Sequence, residues 1–207
     1  MLMLSFLIKK EFLCILKNKL YMTIWGLLLF FPLLFSICLQ NNIIPDNFNF
    51  INDYIILILC IIFICSYICD SCKTDFKTGG TLFLINMKIS VYIAALIKVL
   101  TALVFGSCIL VSDFCFLPDI FTGWTWYLIL LVFISLSFLS FVVSVLLCGA
   151  DTISFLILIF VSAVLLLLMK QSIHIFVKIL FPIALVLLSL VAIPVLYKRK
   201  WFRINIK

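Results

Sequence analysis

Charge is what this sequence has least of. Only 11% of its 207 residues are charged while 67% are apolar, and mean hydropathy is +1.43, whereas a soluble domain carries roughly 25% charged and about 45–50% apolar residues. A water-soluble fold is excluded. Histidine is nearly absent too: His174 stands alone, with no second imidazole to share a metal, and reads as a loop residue. No nucleotide-binding Walker sequence, H-E-x-x-H pair or G-x-S-x-G elbow occurs. The paired acidic signatures of an intramembrane phosphotransferase or protease are missing as well. The chain by itself is therefore expected to be no enzyme, and to hold no metal or cofactor.

Cysteine, by contrast, is plentiful, with nine residues. Cys38, Cys60, Cys65, Cys108 and Cys148 fall inside apolar segments, where a free thiol behaves as a small hydrophobe, so no disulfide framework is expected. Cys65, Cys69 and Cys72 have the C-x3-C-x2-C spacing of a radical iron–sulfur enzyme, but such a cluster needs an enclosing soluble barrel that this length forbids. Inert thiols are the better reading, with a redox or labile-metal role for Cys69 and Cys72 as the alternative.

Fifteen Lys and Arg against eight Asp and Glu give a net charge of +7, a balance that in a soluble protein suggests nucleic acid. Here the basic residues sit beside apolar runs, where they meet anionic headgroups, and no basic stretch is interleaved with stacking aromatics. The expected partner is the lipid membrane, not nucleic acid.

The fold expected is an all-α membrane protein: one transmembrane domain over 1–207, six spanning helices at about 20 residues each, and an interfacial helix in front. Over 4–19, Leu4, Leu7, Ile8, Cys14 and Ile15 share one helical face while Lys9, Lys10 and Lys17 lie elsewhere, which suggests a helix in the interface plane. Glu11 intrudes on the apolar side. The first apolar run continues past twenty residues with no small-residue cleavage site, and reads as a retained helix.

The spans are predicted at 20–39, 51–69, 91–111, 125–147, 153–169 and 176–197, with Asp113, Pro118, Asp119 and Gly123 in the loop after the third and a tight turn at Gly149 and Asp151. Residues 70–90 form the most polar connection. Lys and Arg concentrate before the first span, in 70–90 and after the sixth, while the loops after the first and third spans have none. The positive-inside rule then puts both termini and the 70–90 connection in the cytoplasm of a multi-pass cell-membrane protein.

Within the spans polar side chains are rare. Lys98 lies about two turns into the third, where a charge costs several kcal/mol unless it snorkels or finds a partner; it either snorkels or pairs with a carboxylate such as Asp70 or Asp75. Ser137, Ser140 and Ser144 share one side of the fourth span, and small hydroxyl residues let membrane helices approach closely. They suit an interface or pathway between two copies, or packing within one subunit.

Residues 70–98 carry a family resemblance. Asp75, Gly79, Leu84, Ile85, Ser90 and Lys98 fall in the register of the second intracellular connection of ABC-2 transport permeases, which usually reads acidic, Gly-Thr-Leu, a Leu pair, Pro-x-Ser and then a Lys. Gly80 stands where Thr is usual and Lys88 where Pro is usual. Lys9, Lys10 and Glu11 resemble the elbow helix with which such permeases begin. The resemblance implies a transporter permease, an exporter, without its own ATPase. ATP and Mg²⁺ would be bound by a separate ABC ATPase subunit, and a second permease copy or a homologous permease would complete the complex. The 70–90 connection would be the coupling helix, with Asp75, Lys77, Gly79, Gly80, Lys88 and Ser90 receiving the ATPase movement. The haem-exporter permease of cytochrome c maturation is similar in length and in its acidic-then-glycine connection. A non-transporting membrane assembly or immunity protein is the rival from another class.

Overall fold

The computed structural model describes residues 2–41, 43, 49–80, 84, 89–116, 126–147, 151–170 and 175–205. Among these the chain is all-helical: α1 (Leu2–Lys17), α2 (Lys19–Gln40), α3 (Asn49–Lys77), α4 (Val91–Phe116), α5 (Trp126–Leu146), α6 (Asp151–Lys170) and α7 (Ile175–Asn205). Five of them, α2, α3 from Leu57 onward, α4, α5 and α7 over Ile175–Leu196, are long and apolar enough to cross a membrane, which marks a membrane-inserted protein. Helices answer the physical constraint directly, because in hydrocarbon each backbone N–H and C=O must find its partner within the segment. In α6 the described apolar stretch is shorter, Leu156–Leu165.

α5 is the hub, in contact with α3, α4, α6 and α7. Its apolar side chains Ile129, Val132, Phe133, Leu136 and Phe141 are buried, and so are Ser135, Ser137 and Ser140. α4 presents a second buried stripe: Ala95, Val99, Ala102, Gly106, Ile109 and Asp113 recur at alternating four- and three-residue steps, and all six are buried. The small members of that stripe let α3 and α5 come close. α2 and α7 lie at the periphery, where Leu27, Phe30 and Leu34 of α2 and Phe176, Leu180 and Val191 of α7 are exposed. Such faces suit lipid chains, which are as apolar as leucine.

Four helix boundaries differ clearly from the sequence-based expectation, one of them at α7, which continues past 197 to Asn205. The interfacial segment expected over 4–19 divides at Asn18, whose side chain accepts from the Leu20 N–H at 3.1 Å and so caps α2. The 51–69 run does not end at Cys69: α3 continues to Lys77, so that the first part of the 70–90 connection is helix. α4 passes 111 and reaches Phe116, and Asp113, expected in a loop, is a buried helical residue, because it continues the stripe that began at Ala95. Pro118, Asp119, Gly123, Gly149 and His174 lie outside the described residues.

Candidate functional site

At the end of the bundle where α1 lies, three helices contribute charges to one buried cluster. The ammonium of Lys98, on α4, sits 2.8 Å from Glu11 Oε1 of α1 and 2.7 Å from Asp75 Oδ2 of α3. It also donates to the Ser71 hydroxyl. Ser71 in turn donates to Glu11 Oε2 at 2.7 Å, as does the Tyr67 hydroxyl, also at 2.7 Å. Lys10 pairs with Asp75 Oδ1 and stands 3.4 Å from Glu11 Oε1. Two ammoniums thus meet two carboxylates, and the cluster is neutral.

The side chains of Lys98, Glu11 and Asp75 are 4%, 4% and 6% exposed. Three charges removed from water this completely are tolerable only when each is paired and its remaining hydrogen-bonding capacity is filled, and here both conditions hold. Burial by itself raises the Glu11 carboxyl, but the charge and hydrogen bond of Lys98, helped by Ser71 and Tyr67, outweigh it and hold the group at about 2, against an ordinary 4.5. Glu11 is therefore an anion at neutral pH.

Next to the cluster, the Tyr21 hydroxyl of α2 donates to Asp70 Oδ2 at 2.7 Å and to the Ser66 carbonyl at 3.1 Å. Its ring meets Tyr67 edge-on, with centroids 6.2 Å apart. A polar cavity of about 260 Å³ lies here, lined by Lys10, Tyr21, Tyr67, Asp70, Ser71 and Asp75 among others.

The connection after α3 is held against the same cluster. Gly79 has φ 73°, a left-handed conformation that ends α3 and that a side chain with a Cβ adopts at a cost. Gly80 packs directly on Asp75: a Cβ at this position would lie 2.9 Å from Asp75 Oδ1 and 3.3 Å from its Cα. Further along, Leu84 is buried with Leu7 of α1 and with Ala94 and Ile97 of α4. The end of α3 is thus tied to α1 and α4 by the ions of Asp75, and Leu84, among the described residues beyond it, meets the same two helices by an apolar contact.

The sequence-derived coupling residues divide accordingly. Asp75 is buried at the centre of the cluster, Gly80 touches it, Gly79 makes the turn, and Lys77 is exposed at the end of α3. Ser90 stands at the start of α4, where its carbonyl accepts from the N–H groups of Ile93 and Ala94. Lys88 and most of Thr81–Ser90 lie outside the described residues. Of the two outcomes open for Lys98, pairing with Asp75 is the one found, whereas Asp70 is engaged by Tyr21.

Ser137, Ser140 and Ser144 are buried inside the chain's own bundle. Their hydroxyls donate to the carbonyls of Phe133, Ser137 and Ser140, one turn back, and Ser144 also donates to the Cys69 sulfur at 2.9 Å. The Ser144 contact joins α5 to α3. Cys65 and Cys72 are buried. Among the described residues no three His, Cys, Asp or Glu side chains come together to hold a metal ion.

Sequence reasoning passed over the buried placement of four polar residues, Glu11, Tyr67, Ser71 and Asp113. Glu11 looked like a flaw in the amphipathic pattern of α1, and the flaw was the signal: an acidic residue on the buried face needs a buried cation. Tyr67 and Ser71 carry no such mark. Asp113 is fully buried near the far end of α4, and neither carboxyl oxygen has a hydrogen-bond partner among the described residues. Comparison with protein-family models, with curated proteins and with solved structures gives no match.

Proposed function

We propose that this chain is the permease subunit of an ABC-type exporter, crossing the cell membrane six times and driven by a separate ATPase that docks on the connection between α3 and α4. The observation that carries the reading is the ion cluster. A coupling element has to move several spanning helices as a body when it is pushed, and a connection joined to its helices only by flexible chain would absorb the push. Here Asp75 links the turn at Gly79 and Gly80 to Lys98 on α4 and Lys10 on α1. Charge pairs at 2.7–2.8 Å in a low-dielectric interior resist slipping, so displacement of the turn is conveyed to α1, α3 and α4 together. ATP and Mg²⁺ belong to the partner subunit, and this chain supplies the pathway and its drive linkage.

In this arrangement the α1 end of the bundle faces the cytoplasm, with both termini. Reporter fusions after Asn47 and Pro118 are expected to be active only outside, and fusions after Lys77 and Lys207 only inside; an externally active fusion after Lys77 would remove the docking face. The complex itself is expected to contain two permease copies, or this chain and a homologous one, with two ATPase subunits encoded beside it. Mass measurement in mild detergent reads this directly. A two-plus-two mass supports the proposal, and a permease that purifies without any ATPase after co-expression contradicts it.

A further inference from the structure

α1 carries a second feature beside the ion cluster. A groove of about 680 Å³ runs along it, lined by Phe6, Lys9, Lys10, Leu13, Cys14, Lys17 and Asn18. The positions 6, 9, 10, 13 and 17 fall at helical spacing on one side of α1, so that apolar and basic side chains alternate along the groove. Lys10 is committed to Asp75 and Glu11. Lys9 and Lys17 are exposed, and among the described residues neither is in an ion pair.

The depth of the groove follows from the chain. A single residue, Asn18, separates α1 from α2, one of the helices long and apolar enough to cross the bilayer. α1 therefore lies where α2 leaves the hydrocarbon, at the level of the headgroups. Its exposed Leu4, Phe6, Leu13 and Leu16 need an apolar neighbour, and its unpaired lysines need an anion.

We propose that this groove binds one anionic phospholipid, with the headgroup phosphate between Lys9 and Lys17 and an acyl chain along Phe6 and Leu13. A soluble phosphate satisfies the lysines but leaves the two apolar side chains in water; a zwitterionic lipid covers the apolar side chains and leaves the net positive charge uncompensated. An anionic phospholipid satisfies both. The inference depends on membrane insertion alone and stands apart from the permease reading.

The test uses the full chain taken up from bilayers of equal phosphatidylglycerol and phosphatidylethanolamine, with retained lipid counted by native mass spectrometry. The wild type is expected to retain phosphatidylglycerol in preference. A basic residue near a membrane surface contributes roughly five-fold in affinity for anionic lipid, so the double variant Lys9→Gln/Lys17→Gln is expected to lose retention by more than ten-fold, and Lys178→Gln, on α7 and not among the residues that line the groove, to keep it. Excess inorganic phosphate is expected to leave the lipid in place. A wild type with no preference between the two lipids overturns the assignment, as does a double variant that retains phosphatidylglycerol like the wild type; displacement by inorganic phosphate would assign the groove to free anions instead.

Discussion

Lys98→Met is expected to destabilise the folded protein by about 3–5 kcal/mol, the usual result of removing one partner from a buried ion pair. The ammonium of Lys98 is shared by Glu11 and Asp75 at 2.8 and 2.7 Å, and methionine, of similar length, fills its space without its charge. Two buried carboxylates are then left with Lys10, whose side chain is 33% exposed and reaches Glu11 only at 3.4 Å. The Ser71 hydroxyl loses a donor as well. Neutralising the stranded partners in the same protein, with Glu11→Gln and Asp75→Asn, is expected to restore most of the loss, because a buried polar group that keeps hydrogen-bond partners costs far less than a buried charge. Thermal unfolding in mild detergent checks both variants.

Acid gives an independent reading of the same cluster. Glu11 titrates at about 2 in the folded chain against 4.5 when free. Its contribution to stability is therefore complete above about 4.5 and is lost as pH falls through about 2, since over that window the unfolded chain takes up the proton first. The wild-type melting temperature is expected to fall across the window. In Lys98→Met the cause of the depressed value is gone, and the fall is expected to be shallower; an equally steep one would contradict the assignment.

How far these features could be read from the sequence depends on the kind of signal each leaves. The apolar runs that become α2, α4, α5 and α7 are plain, because a membrane span must be apolar over its whole length. Lys98 was legible as an ion-pair candidate for the opposite reason, being a charge where charges are expensive, and its partner Asp75 could be named because both lie on the same side of the membrane in the charge count. The continuation of α3 through Asp70–Lys77 was not legible. Those residues are polar and look like a loop, and their helical face has meaning only once Ser71 and Asp75 are seen to turn toward Glu11 and Lys98. Asp113 followed the same logic, since its polarity suggested a loop while its position on the stripe from Ala95 to Ile109 made it part of the helix. The three serines of α5 show the limit from the other side: spacing put them on one face, but only packing decides what that face meets.

Gly80→Val is expected to abolish coupling while leaving the chain inserted and assembled. A Cβ at Gly80 would stand 2.9 Å from Asp75 Oδ1, closer than such contacts allow, and the branched methyl groups of valine would reach further. Either the turn at Gly79 moves away from α3 or the Asp75 carboxylate leaves Lys10 and Lys98, and in both cases a push on the connection no longer reaches α1 and α4. Asp75→Lys acts by charge instead, placing a third ammonium where the two lysines already meet. Gly79→Ile strains the backbone, because φ 73° is unfavourable by about 1–2 kcal/mol for a residue with a Cβ. Gly79 and Gly80 lie beyond the spanning stretch Leu57–Lys77, so their substitution leaves the spans untouched. Loss of rate is therefore expected without loss of membrane insertion, at ten-fold or more for Gly80→Val.

ATP hydrolysis by the proposed ATPase subunit, reconstituted in nanodiscs with this chain, is the measurement that bears most directly on the proposal. Wild-type chain is predicted to raise the hydrolysis rate several-fold above that of the ATPase alone, and Gly80→Val, present at the same level in the same discs, to leave it at the unstimulated rate. Equal stimulation by the wild type and by Gly80→Val, or none by the wild type, would contradict the claim that the Asp75–Lys98 cluster carries the drive from the ATPase to the membrane helices.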